Sequence, residues 1–72
     1  MSHDKLIRMA NQIATFFASQ PGTDQAERVA AHLKDFWAPA MRAELVRCVR
    51  EGRPEVSPLV AAAVALLDRQ HA

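Results

Sequence analysis

Glycine and proline divide this 72-residue chain into four segments, and this division constrains the fold more than any other feature. All six of these residues fall at positions 21–22, 39, 52–54 and 58. Proline and glycine are the strongest local breakers of regular structure. Between the breaks, apolar residues recur at three- and four-residue steps, as on one face of a helix. The sequence therefore predicts an all-α fold, a small bundle of about four short helices that forms a single domain over residues 1–72.

The first predicted helix covers about residues 4–19 and ends at Pro21-Gly22. Its apolar face consists of Leu6, Met9, Ala10, Ile13, Phe16 and Phe17. The second helix begins at Thr23 or Asp24, where Asp24 and Glu27 have the spacing of a weak capping box. It ends near Trp37, because the residue before a proline is disfavoured in the α conformation.

The third predicted helix begins at Pro39, a first helical position where a missing N–H has no cost, and stops at Gly52. The fourth begins at Ser57-Pro58, an N-cap followed by proline, and runs to about residue 70. Residues 59–67 of the fourth helix include no polar side chain. A helix that is apolar all round is normally buried on more than one side. We expect the apolar surface of the fourth helix to be larger than so small a bundle can bury. The remainder would then form a surface for a partner.

Composition and charge exclude several classes of function. The formal net charge is +1, too balanced to indicate nucleic acid or an anionic membrane as a partner. The longest apolar run is nine residues, about half of the roughly 18–20 that a membrane span needs. The first residues include no apolar core of a signal peptide. We therefore expect a cytoplasmic protein that does not enter a membrane.

No residue pattern predicts a catalytic, cofactor-binding or metal site. Cys48 is the single cysteine, so no internal disulfide is expected. Cys48, His3, His32 and His71 are too few and too widely spaced along the sequence to predict a structural zinc site. We interpret Cys48 as a buried structural residue, because no local pairing with a histidine is visible. His32 could pair with Asp35 three residues away, but no further groups converge on it, so we interpret it as a surface residue. The two glycines lie at helix breaks rather than in a phosphate-binding loop.

The aromatic residues indicate a binding surface instead. Phe16-Phe17 and Phe36-Trp37 are adjacent pairs, and neighbours on a helix point about 100° apart. We expect one member of each pair to face the core and the other a partner. Trp37 is predicted to be the outer one, because tryptophan is enriched at interface hot spots. The predicted partner interface comprises Phe17, Trp37, Met41, Arg42, Leu59, Val60 and Leu66.

Three blocks of the chain resemble the delta subunit of NAD-dependent formate dehydrogenase. They are residues 5–17 (KLIRMANQIATFF), 29–42 (VAAHLKDFWAPAMR) and 57–64 (SPLVAAAV). The middle block is the most specific, because it includes the family's Phe-Trp-x-Pro-x-Met-Arg signature. The blocks follow the family's order and cover nearly the whole chain.

The resemblance implies an accessory role in a molybdenum-containing enzyme. In that family, larger subunits carry the molybdenum cofactor, the iron–sulfur clusters, FMN and the NAD site. The delta subunit binds the molybdenum-bearing catalytic subunit and supports its assembly, stability or cofactor insertion. No catalytic residue is transferred to this chain, because the family assigns none to this subunit.

Three other classes remain open from the sequence. A self-associating helical module would bury residues 59–67 against a second copy, giving a homo-oligomer in isolation. A DNA-binding helical domain would bind duplexes with steep salt dependence, which the balanced charge disfavours. An independent enzyme is the least supported, because no candidate site has a complete set of catalytic groups.

Overall fold

The chain folds into four α-helices joined by short loops, as shown by a computed structural model that describes residues 3–70, Gln70 by its backbone only. The helices are α1 (His3–Ala18), α2 (Gln25–Phe36), α3 (Pro39–Arg50) and α4 (Pro58–Gln70). No strand occurs in this part of the chain. The predicted all-α class, the number of helices and their approximate bounds are confirmed.

The joint between α2 and α3 is a two-residue extended link. Trp37 has φ −94° and ψ 140°, and Ala38 has φ −63° and ψ 147°. The proline ring at position 39 disfavours the α conformation at Ala38, so α2 must end before it. Pro39 then occupies the first turn of α3, where its missing N–H leaves no bond unmade.

The ends of the loop between α3 and α4 follow two standard capping patterns. Gly52 has φ +71°, and its N–H donates to Val49 O at 3.0 Å while Arg53 N–H donates to Cys48 O at 3.5 Å. These two bonds form a Schellman cap, which favours glycine because of the positive φ. At the start of α4, Ser57 Oγ accepts a hydrogen bond from Val60 N–H at 3.2 Å. The predicted stop and N-cap are both confirmed.

The predicted capping box at the start of α2 is not formed. Asp24 is the N-cap residue, but its side chain accepts no hydrogen bond from the first turn of the helix. Its Oδ2 instead accepts a bond from Arg28 Nε at 3.1 Å. Arg28, one turn further along the helix, competes with the backbone N–H groups for the Asp24 carboxylate. The spacing of Asp24 and Glu27 does not indicate this competition.

All four helices contribute to one hydrophobic core. Its buried members are Leu6, Ala10, Ala14, Val29, Ala30, Leu33, Trp37, Leu45, Val60, Ala63, Val64 and Leu67. The most extensive helix contact is between α2 and α4, and α4 also touches α1 and α3. Helix α4 is therefore an integral part of the bundle.

The prediction that the bundle is too small to bury α4 is wrong. Within residues 59–67, only Ala62 and Ala65 are exposed, whereas Val60 is fully buried. Leu59 and Leu66 are half-buried and pack against the core. Alanine side chains occupy the outward positions, so an apolar sequence here exposes little apolar area.

Trp37 is an inner residue, which corrects the prediction that it faces outwards. Its side chain is 7% exposed and belongs to the core, whereas that of Phe36 is 74% exposed. Trp37 lies just beyond α2, in extended backbone. Helical periodicity therefore does not set the direction of its side chain, and the turn towards Pro39 does.

Arg42 closes the end of α2 from the first turns of α3. Its Nη1 donates to Lys34 O at 2.6 Å and to Trp37 O at 3.1 Å. A cation at the carboxyl end of a helix satisfies carbonyls that lack an intrahelical partner and complements the helix dipole. Arg42, predicted as an interface residue, thus has a structural role within the chain.

Asn11 ties α1 to the loop that precedes α4. Its Nδ2 donates to Glu55 O at 2.8 Å, and its Oδ1 accepts from Ser57 N–H at 3.0 Å. A single amide side chain thereby satisfies two backbone groups of the loop. None of the helices in residues 3–70 has the length and apolar character needed to cross a membrane.

Replacing Trp37 should destabilise the chain far more than replacing its neighbour Phe36. We expect Trp37→Ala to cost about 3–5 kcal/mol, because it empties a large core position. A core of this size supplies about 3–5 kcal/mol in total, so this variant should be largely unfolded at 25 °C. Phe36→Ala should cost less than about 1 kcal/mol, since its side chain is mostly in water. Urea unfolding followed by far-ultraviolet circular dichroism measures both, and equal midpoints would contradict the placement of Trp37.

Removing the charged end of Arg42 should weaken the α2–α3 joint. We expect Arg42→Met to reduce the free energy of unfolding by about 1–2 kcal/mol, because carbonyls at the end of α2 lose a charged donor. Arg47→Met is the matched control: Arg47 is exposed and forms an exposed ion pair with Glu44, at 3.5 Å, and such pairs contribute about 0–1 kcal/mol. The measurement is again urea unfolding, and a larger effect at Arg47 than at Arg42 would refute the capping role.

Candidate functional site

The surface shared by α1 and α2 exposes aromatic rings that the core does not use. Phe16 is 60% exposed and Phe36 is 74% exposed, and both are large apolar side chains. Each lies near the carboxyl end of its helix. Exposed apolar patches on a small protein mark binding surfaces more often than isolated exposed residues do.

The rings form a continuous row across the two helices. The centroids of Phe16 and Phe17 are 5.2 Å apart, those of Phe17 and His32 are 6.0 Å apart, and those of His32 and Phe36 are 4.7 Å apart. The Phe16–Phe17 and Phe17–His32 pairs meet edge to face, a preferred geometry for aromatic contacts. The half-buried rings of Phe17 and His32 link the exposed rings at either end.

Met9 and Ile13 extend this row along α1. Together with Phe16 they recur at steps of four and three residues, so they form one strip along the helix. A groove of about 470 Å³ lies beside the strip, lined by Met9, Gln12, Ile13, Phe16, Phe17 and His32. We call the surface formed by Met9, Ile13, Phe16, Phe17, His32 and Phe36 the aromatic patch.

The groove beside the aromatic patch is lined mostly by apolar side chains. Acidic and basic side chains other than His32 are absent from the described residues that line the groove. The contacts of His32 that define the patch are with aromatic rings rather than with an acid or a nucleophile. General acid–base catalysis needs a proton donor or acceptor within hydrogen-bond reach of a second reacting group, and this surface does not provide one.

Only one of the predicted interface residues belongs to the aromatic patch. It is Phe17, which is half-buried and packs against the core. Trp37 and Val60 are buried, at 7% and 0% exposed. Met41, which packs partly against the core, lines a different small groove with His3, Leu6, Ala40 and Glu44. The structure does not bring the predicted residues together on one surface.

The sequence reasoning missed Phe16 and Phe36 as the exposed members of their pairs. On α1, the fully buried positions include Ile7 and Ala14, which were left out of the predicted apolar face. Including them rotates the core face away from Met9, Ile13 and Phe16. The apolar residues of α1 spread over more of the helix surface than one core contact can bury. This width indicates that some of them are exposed, and it could have identified Phe16.

No group of three histidine, cysteine or acidic side chains in residues 3–70 is placed to hold a metal ion. Cys48 is a free thiol with 0% exposure. His3, at the start of α1, bonds to Glu44 of α3, with Nε2 and Oε2 2.7 Å apart. His71 lies outside the described residues.

Burial should protect Cys48 from thiol reagents. We expect the native chain to react with Ellman's reagent at least about a hundredfold more slowly than the chain in urea, because reaction requires opening of the core. The absorbance of the released thiolate measures both rates, and glutathione with and without urea is the control for the reagent. Equal rates in native and denatured chain would show that the thiol is accessible.

A comparison with protein families identifies a match over most of the chain. The family model for NADH-dependent formate dehydrogenase delta subunit FdsD matches residues 5–64. The matched range includes α1, α2, α3 and the first half of α4, and hence every residue of the aromatic patch. None of the curated proteins matches the chain significantly. The chain belongs to the formate dehydrogenase delta subunit family.

Proposed function

We propose that this chain is a non-catalytic accessory subunit of NAD-dependent molybdenum formate dehydrogenase. In this proposal it binds the large catalytic subunit and supports assembly, stability or insertion of the molybdenum cofactor. The observation that carries the proposal is the family match over residues 5–64. The complex acts in the cytoplasm, and its other subunits carry the molybdenum cofactor, the iron–sulfur clusters and FMN.

The features of the chain itself agree with a binding role. The patch on α1 and α2 exposes two phenylalanine rings, and aromatic residues are enriched in protein interfaces. Residues 3–70 hold one cysteine, which is buried and free, whereas iron–sulfur clusters are typically held by four cysteines. Both features support a subunit that contributes contacts rather than chemistry.

A small helical subunit can stabilise a large partner by mass action. A protein that binds only the folded or cofactor-loaded form shifts the equilibrium towards that form. At a free concentration of a hundred times Kd, the stabilisation is about 2.7 kcal/mol. This is a large part of the stability of an ordinary domain, about 5–15 kcal/mol.

Deletion of the chain from a formate dehydrogenase operon tests the proposal. We expect the complex prepared without it to have less molybdenum, to lose activity faster at elevated temperature, or both. The measurements are molybdenum content, formate-dependent NAD reduction and the half-life of activity. Co-elution of the chain with the wild-type complex shows whether it is a permanent subunit.

Adding purified chain to the deleted complex separates the possible roles. Recovery of the half-life without a change in molybdenum indicates a stabilising subunit, whereas a molybdenum deficit that the added chain does not repair indicates a role during insertion. A deleted complex that is fully loaded, stable and active, with no co-elution of the chain, would contradict the proposal. A concentration-dependent oligomer of the chain alone would then favour the self-associating module.

A further inference from the structure

We propose that the aromatic patch is the surface by which the chain docks on a larger subunit of the formate dehydrogenase complex, against uncharged apolar side chains. This inference rests on the proposed function and adds the face, the residues and the chemistry of the partner.

Within residues 3–70, the two exposed rings of the patch lie outside the core cluster. The core cluster includes Trp37 and has Phe17 packed against it, but Phe16 and Phe36 remain mostly in water. Each ring contacts another aromatic ring of the patch, Phe16 with Phe17 and Phe36 with His32. Burial of such rings against a partner is favourable, because it removes apolar surface from water.

The described residues that line the groove beside the patch are uncharged side chains and His32, whereas the surface of α3 and α4 carries ion pairs. Gln12 is the polar, uncharged member of the groove lining, and His32 lies within the ring contacts. On α3 and α4, by contrast, Glu44 lies 3.5 Å from Arg47, and Arg50 lies 2.7 Å from Asp68. A charged partner segment would lose water on the patch without gaining a counter-charge, which is costly. The complementary surface is therefore apolar and uncharged.

Charged residues on α2 lie outside the neutral area, at its edge. Arg28 and Asp35 are exposed and do not line the groove, although each is a neighbour of His32 on the surface of α2, four residues before it and three after it. Arg28 pairs with Asp24 at 3.1 Å. An apolar centre with a polar edge is the usual arrangement of a protein interface.

The two exposed rings alone offer too little area for a stable dimer of this chain. With about 200 Å² for a whole phenylalanine side chain, the exposed parts of Phe16 and Phe36, at 60% and 74%, total roughly 270 Å². A two-fold dimer through these two rings alone buries about twice that area, well below the roughly 1,200 Å² of a stable interface. A standard interface has a footprint of about 800 Å² on each partner, about a sixth of the 4643 Å² surface of this chain, so a partner subunit has to contact residues around the rings as well.

The experiment compares variants of the tagged full chain co-expressed with the other formate dehydrogenase subunits. The test variant is Phe16→Gln with Phe36→Gln, which removes both exposed rings and keeps a good helix former. The matched control is Ala62→Gln with Ala65→Gln, at the exposed positions of α4. Circular dichroism melts of each purified chain verify that it is folded, and each single substitution is measured in case the double one is not.

We expect the ring variant to lose at least about tenfold in affinity for the complex lacking the chain, as hot-spot aromatics do, and to co-elute below stoichiometry. The α4 control should bind as the wild type does. If the folded ring variant binds as tightly as the wild type, the docking surface is wrong and the proposed function is unaffected. A loss of binding seen only in the α4 variant has the same meaning. Failure of the wild-type chain to bind overturns both. A ring-dependent homodimer that excludes the other subunits overturns the choice of partner.

Discussion

The packing of α4 against α2 is the interaction on which the rest of the fold depends. These two helices contact each other more extensively than any other pair. The buried residues of these two helices include the small Ala30 on α2 and Ala63 on α4, together with the larger Val29, Leu33 and Val60. Small side chains allow helix axes to approach closely and larger ones to fill the space between them. Helices α1 and α3 then complete the core around this pair.

The same packing explains why the exposed aromatic rings lie on α1 and α2 rather than on α4. Because α4 is covered by the other helices, the exposed side chains within its apolar stretch, residues 59–67, are those of Ala62 and Ala65. The excess apolar area instead lies on the edge of α1 and the end of α2, where Phe16 and Phe36 remain exposed. In a member of a delta subunit family, such a surface is well suited to contact with another subunit.

Local features of the fold could be predicted because they depend on neighbouring residues. Pro39, Gly52 and Ser57 each act through their own backbone geometry or side-chain reach, and all three occupy the predicted capping positions. The Asp24–Glu27 box failed because Arg28, also local, competed for the same carboxylate. The predicted site depended on which way side chains face, and most of its residues are buried or lie on other surfaces. That direction depends on the relative rotation of whole helices, which spacing along one helix does not specify.

The number, order and ends of the helices follow from the amino-acid sequence, since breakers and caps act over a few residues. Family membership follows from it too, because sequence motifs can be matched without knowledge of the fold. Which member of each aromatic pair faces water depends instead on how the four helices pack. Phe36 and Trp37 are both acceptable on the apolar stripe of α2, and the extended link to Pro39 turns Trp37 inwards. The core that includes Trp37 is formed by side chains from all four helices. The sequence of one helix therefore does not specify which of the two side chains is buried.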